Sequence, residues 1–276
     1  MSAPNPSSAS GYDKFYESFD SPLMQRLRRE AYGQDIGQHS WVTADELAQD
    51  IPRLRLTRAS RLLDLGCGPG GPLTYLLSRV GCRACGLDLS PAAIESARAR
   101  AVSFGLGDRI DFGVADSNAP LPLEPDSFSA VVCVDVVLHL RDRAVVFDEV
   151  ARVLAPGGRF LFTDAGVVTG CVSDEEIRHR ALHGFTQFVP AGFNEGAIER
   201  AGFRLLESAD RTPSLLANAR GRLVARLTHR DELEQVEGPD RFEVQRSYLE
   251  TVIALSERGA VSRMMYLAES TRREPA

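Results

Sequence analysis

Short apolar runs and helical stretches alternate through the middle of the chain, and glycine or proline marks most junctions. Leu62-Leu63-Asp64-Leu65 is an apolar run that breaks into Gly66-Cys67-Gly68-Pro69-Gly70-Gly71. Beyond it Leu73, Leu76 and Leu77 recur at helical spacing. Cys85-Gly86-Leu87-Asp88-Leu89 ends a second run, with Ser90 as N-cap and Pro91 opening the next helix. Gly113-Val114-Ala115-Asp116-Ser117 closes a third, and Asp126 through Leu140 holds a buried fourth strand followed by a turn. Val153-Leu154-Ala155-Pro156-Gly157-Gly158 ends a helix and turns the chain into a fifth strand reaching Asp164. Such alternation predicts an α/β fold, doubly wound around a mostly parallel sheet.

The flanks add to this frame. Residues 1–11 are polar and small, and read as a disordered tail. Tyr12, Phe15, Tyr16, Phe19, Leu23, Met24 and Leu27 stand at helical spacing, broken at Ser21-Pro22. A polar, glycine-broken loop runs from Tyr32 to Trp41, the only tryptophan, and Thr43 with Glu46 forms a capping box for a helix to Ile51. Helices are expected over 174–184 and 194–201, a sixth strand over Phe203–Ala209 and a seventh over Ser262–Glu269. The organisation expected is therefore an N-terminal helical lid (12–51) and a core (52–276) bearing helical cap insertions at about 166–200 and 213–260.

The chemistry starts at the glycine loop. A buried strand that meets several glycines and enters a helix brings backbone N–H groups close to a ligand. Gly66, Gly68 and Gly70 make a G-x-G-x-G, near the G-x-G-x-x-G of dinucleotide-binding folds. Asp88, 22 positions after Gly66, suits ribose hydroxyls, although an ordinary capped turn explains the same residues. Asp64 directly before the glycines would repel a pyrophosphate and welcome a cation.

In their order, these motifs resemble the class I S-adenosylmethionine (SAM)-dependent methyltransferases, closely over about residues 60–165 and more loosely outside. The resemblance implies a Rossmann-like, seven-stranded fold with SAM as cofactor. It implies that Gly66, Gly68 and Gly70 let the backbone approach the methionine part and that Asp64 orients its ammonium. Asp88 would hold the ribose hydroxyls and Asp116 the adenine amine, with Leu89 and Ser117 flanking the ring. Cys67, Val134, Gln38 and Ser40 are placed in the same lining.

Catalytic candidates stand in the Asp135-Val136-Val137-Leu138-His139-Leu140 turn and the Tyr32 loop, a layout similar to phosphoethanolamine methyltransferases. It implies His139 as base or hydrogen-bond partner, Tyr32 as its orienter and lid latch, and Asp135 as a substrate contact. Histidine suits proton transfer near neutral pH. The likeness breaks after the fifth strand, where Asp164 is followed by Ala165-Gly166-Val167-Val168 and then by Phe185, Phe188 and Phe193. With Trp41, that lining suits a hydrophobic or aromatic small molecule. A small-amine or phosphobase substrate is the alternative, and a protein or nucleic-acid methyltransferase or a non-catalytic SAM binder a more distant one.

Composition narrows the partners. Net charge is −6 and no basic stretch is dense enough for a nucleic-acid footprint. The Asn/Asp-Pro-Pro-aromatic turn of nucleic-acid methyltransferases is also missing. No apolar run approaches a membrane span, and no signal peptide opens the chain, so a cytoplasmic protein is expected. Five cysteines lack zinc-site spacing and read as reduced, mostly buried thiols, and His179 and His183 lack a third ligand, so no metal is expected. The aromatic N-terminal helix offers a face for a homo-oligomer.

Overall fold

The computed structural model describes Tyr16, residues 18–181 and residues 185–272. Helices α1 (Pro22–Tyr32) and α2 (Ala44–Leu54) come first. The core follows as β1 (Arg61–Leu65), α3 (Gly71–Val80), β2 (Arg83–Asp88), α4 (Pro91–Ser103), β3 (Ile110–Val114) and β4 (Phe128–Val134). It continues as α5 (Arg143–Val153), β5 (Leu154–Val168), α6 (Asp174–Arg180), β6 (Val189–Pro190), α7 (Phe193–Arg200) and β7 (Phe203–Asp210). Three helices, α8 (Thr212–Thr228), α9 (Arg230–Glu237) and α10 (Pro239–Glu257), separate β7 from the last strand, β8 (Val261–Ser270).

The sheet runs β3-β2-β1-β4-β5-β8-β7, with β6 beside the end of β5. Only β8 is antiparallel to its neighbours β5 and β7. Strand order reverses at β1, which pairs with β2 on one side and β4 on the other. That reversal opens a crevice at the carboxyl ends of the strands. Alternation along each strand builds the two core layers. Leu63, Leu65, Val131, Cys133, Phe160 and Phe162 pack against Phe147 and Val150 of α5 and Ile198 of α7. Leu62, Ala130, Val132 and Leu161 face the other way, onto Leu73, Leu76 and Leu77 of α3 and Leu47 of α2. Helices are therefore obliged to cover both faces.

The helix starts follow the sequence signals. Ser21 Oγ accepts from Met24 N with Pro22 in the first turn, Ser90 Oγ from Ala93 N, and the Thr43–Glu46 capping box is formed. The seven long strands stand as expected, joined by the two-residue β6, too short to leave a pattern in sequence. Cys82 lies just before β2 rather than in it. The helix expected over 174–184 ends at Arg180, and residues 182–184, His183 among them, lie outside the described residues. The tail 1–11, Tyr12 and Phe15 do so as well. The insertion is helical, as the sequence indicated. Leu215 and Ala219 of α8 and Tyr248, Leu249 and Val252 of α10 cluster with Trp41 and Ala165, which caps the crevice. No described helix is long and apolar enough to cross a membrane.

Candidate active site

Three strand ends deliver an acid each to one cavity of about 450 Å³. Asp64 comes from β1, Asp88 from the end of β2, and Asp116 from just past β3. Gly66, Cys67, Gly68, Leu89, Ser117 and Val134 line the same space. The loop is folded back on β2: Gly66 N and Cys67 N both donate to the Leu87 carbonyl, at 2.8 and 3.0 Å. Asp88 holds it from below, accepting from Gly68 N at 2.8 Å and Ser90 N at 2.9 Å. Asp88 thus holds the turn and lines the cavity as well. Gly70 supports from behind as the left-handed N-cap of α3. A Cβ on Gly71 would lie 2.2 Å from the Ile36 carbonyl oxygen, so the loop between α1 and α2 docks directly on this loop's backbone.

Burial, then the charge of Asp88, pushes the Asp64 carboxyl up to about 7. A cation beside it would favour the ionised form. Asp116 Oδ1 accepts from Asn118 N at 2.9 Å and Asn118 Nδ2 at 2.8 Å, so this acid also closes its own turn.

The cavity's other end is built around Asp135, whose φ of 57° lies in the left-handed region. Its Oδ1 accepts from Thr163 Oγ1 at 2.8 Å and from Arg263 Nε at 2.7 Å, while Oδ2 accepts from Trp41 N at 2.9 Å. Arg263, on β8 and 0% exposed, also donates to Glu46 at 2.9 and 3.0 Å. Expected as a substrate contact, Asp135 has both oxygens engaged in joining β4, β5, β8, α2 and the Trp41 loop. It also lines the first cavity.

His139 ends a single 3-10 turn, Val137–His139, and lines the cavity. Its Nδ1 lies 3.0 Å from the Phe185 carbonyl oxygen. A carbonyl only accepts, so Nδ1 bears the proton and the lone pair falls on Nε2. Burial lowers the imidazole pKa, which keeps the ring neutral at physiological pH. The orienter expected here was Tyr32. Its hydroxyl instead donates to the Ser40 carbonyl at 2.9 Å and lines a second cavity of about 240 Å³. Tyr32 therefore ties α1 to the lid loop, and Phe185 orients His139. Gln38 also lines the second cavity, accepting from Ile36 N and donating to the Gln34 carbonyl to shape the loop. Ser40 and Trp41 reach the first.

Of the three phenylalanines, only Phe185 reaches the first cavity. Phe188 packs under Leu255, Ala260 and Val261. Phe193 opens α7 at 37% exposure with the Arg143 guanidinium 5.9 Å away. Sequence reasoning missed Tyr248, whose ring stacks 6.4 Å from Trp41, and Arg222, whose guanidinium stands 4.7 Å from the Trp41 ring centre. Arg141 and Asn118 complete a lining more polar than expected. The i, i+4 pair Arg222/Arg226 on α8 was the one local signal.

The fold is Rossmann-like, with a cavity lined by strand-tip carboxylates at the switch point of its sheet. A methyltransferase domain model matches residues 63–162. The chain is 36% identical over 164 residues to methyltransferase GfsG of Streptomyces halstedii, covering 57% of this chain and 58% of that one. It is 32% identical over 209 residues to 27-O-demethylrifamycin SV methyltransferase of Amycolatopsis mediterranei, covering 73% and 75%. Phosphoethanolamine N-methyltransferase 2 of Haemonchus contortus with SAM shares the fold at a TM-score of 0.76 and 20% identity, over 94% of this chain and 60% of that one. The [4+2]-cyclase SpnF does so at 0.74 and 19%, over 95% and 97%. The chain belongs to the class I SAM-dependent methyltransferases; it is an enzyme, and SAM is its cofactor. The structure fits that molecule: a cradle of bare backbone, a buried acid whose ionised form wants a cation, and two further acids along the nucleoside path.

Proposed function

We propose that the enzyme methylates an N, O or C atom of a small metabolite with a largely apolar or aromatic body, as a tailoring step of specialised metabolism in the cytoplasm. One observation leads to this reading: the cavity joins an acidic cofactor end to an end walled by Trp41, Tyr248, Phe185 and His139. Relatives named as a 27-O-demethylrifamycin SV methyltransferase and an O-methyltransferase are in keeping with it.

SAM supplies a methyl group already activated by its sulfonium charge. The chain has to bind, orient and exclude water. Asp64 takes the ammonium, Asp88 the ribose hydroxyls and Asp116 the adenine amine. Leu89 and Ser117 flank the ring, and Gly66, Cys67, Gly68 and Val134 set the backbone distance. Trp41, Tyr248 and Phe185 confine the acceptor. His139 Nε2 takes the proton that leaves an O or N acceptor. Tyr32 latches the lid, and Asp135 holds the Trp41 loop over the reacting centre.

Trideuteromethyl-labelled SAM offered with a panel of phenols, carboxylic acids and amines, phosphoethanolamine included, tests the assignment by mass spectrometry. Label on an aromatic or apolar acceptor is expected. Label on phosphoethanolamine alone would contradict it.

A further inference from the structure

The second cavity adjoins the first. His39 and Arg222 line both. Its walls come from α1, α8 and α9, with an apolar floor of Met24, Leu27, Ala225 and Leu233. Several arginines ring it, and their partners differ. Arg28 Nε donates to Asp35 at 2.7 Å, and Arg226 is paired with Glu237. Arg222 makes no ion pair with an acidic side chain among the described residues. Its charge falls on the Tyr32 hydroxyl and on the face of Trp41, 4.7 Å away.

A guanidinium without a carboxylate, at the junction of an apolar chamber and a reaction cavity, is placed to bind an anion on an otherwise apolar molecule. Apolar side chains below would hold the skeleton, and the planar donors of Arg222 would hold its oxygen group. A cationic amine in the same place would be repelled. The phenylalanines of 185–193 had suggested the substrate wall. The chamber between the lid and the insertion is better formed for the body of the acceptor, since Phe188 and Phe193 lie elsewhere.

We infer that the chamber between α1, α8 and α9 binds the body of the acceptor while its reacting end enters the first cavity between Trp41, Tyr248 and Phe185, and that Arg222, which lines both, selects an apolar acceptor bearing an anionic oxygen group, a carboxylate or acidic phenol. This rests on the methyltransferase reading of the first cavity. It goes further in naming where the acceptor lies and which residue sets its charge.

Two dyes with one skeleton test the inference: 1-anilinonaphthalene-8-sulfonate, an apolar anion, and N-phenyl-1-naphthylamine, its neutral counterpart. Fluorescence titrations are run on the full chain saturated with S-adenosylhomocysteine, as wild type, Arg222→Gln, Arg222→Lys and Ala31→Leu, each checked by thermal melt. Arg222→Gln is expected to weaken the anion by roughly tenfold or more, the worth of a charge-assisted hydrogen bond, and to change the neutral dye by less than about twofold. Arg222→Lys keeps most of the anion's affinity, and Ala31→Leu, which narrows the chamber, weakens both dyes. Equal loss of both dyes in Arg222→Gln, no loss at all, loss in Arg222→Lys as large as in Arg222→Gln, or unaltered binding in Ala31→Leu overturns the assignment. Calorimetry of wild type with S-adenosylhomocysteine alone separates the two levels. If that nucleoside binds while the dyes behave against expectation, only this inference falls; if it does not bind, the cofactor reading falls.

Discussion

Replacing Arg263 with methionine keeps the length of the stem and removes a charge sealed inside the protein. In wild type that charge faces two buried carboxylates, with Arg263 Nε 2.7 Å from Asp135 Oδ1 and Nη1 2.9 Å from Glu46 Oε1. Asp135 is 8% exposed and Glu46 6%. The loss leaves Asp135 with neutral donors alone, Thr163 Oγ1 and Trp41 N, and leaves Glu46 with Arg211, 3.7 Å away, as its cation. Removing one partner of a buried pair costs about 3–5 kcal/mol. At about 2–4 °C per kcal/mol for a chain of this size, the melting temperature should fall by about 6–20 °C. Urea unfolding followed by circular dichroism gives the free energy directly. One further sign belongs to this origin. Adding Glu46→Gln to Arg263→Met should recover part of the loss, because one of the two buried acids is gone. A loss below about 1 kcal/mol, the size of an ordinary surface substitution, or no recovery in the double variant, would refute the reasoning.

Other consequences concern the cofactor and the chemistry. The Asp64 carboxyl, raised from 3.8 to about 7, binds its proton more tightly in the folded chain, so the cofactor-free protein should lose stability as pH rises across that window. Melts of Asp64→Asn should show that fall flattened; a profile identical to wild type would count against it. Gly71→Ala drives a methyl to within 2.2 Å of the Ile36 carbonyl oxygen. It should cost about 1–3 kcal/mol and weaken S-adenosylhomocysteine binding, read by melt and calorimetry, since backbone cannot swing aside like a side chain. His139→Gln should lower kcat by about 10²–10⁴ with an oxygen or nitrogen acceptor while nucleoside affinity stays within about twofold, the range of proton-transfer effects. An unchanged kcat would leave His139 a positioning role alone.

Much of this was legible locally. The strands of the core were short apolar runs, their ends were marked by glycines or acids, and Asp64, Asp88 and Asp116 follow those ends closely enough to be placed by sequence. Thr43 and Ser90 announced their helices because a cap needs only its next three residues, whereas Ser21, read as a break, proves to be the N-cap of α1. What escaped depends on contacts distant along the chain. Arg222 meets Trp41 from 181 positions away, and Arg263 meets Glu46 from 217, so neither leaves a spacing to read. Phe185, Phe188 and Phe193 looked alike in sequence, yet they end in a cavity, a small core and a helix start. Tyr32 lies on α1, which packs on α8, and its hydroxyl meets the Ser40 carbonyl, while His139, on the turn after β4, meets the Phe185 carbonyl; both partners depend on how distant segments pack.

The central claim is that acids at successive strand ends of the switch point hold SAM. A crystal structure with S-adenosylhomocysteine tests it most directly. The account expects the nucleoside to lie across the tips of β1, β2 and β3, ribose hydroxyls on Asp88, adenine amine at Asp116 and ammonium beside Asp64. A nucleoside bound elsewhere, or one that touches none of these three carboxylates, would contradict it.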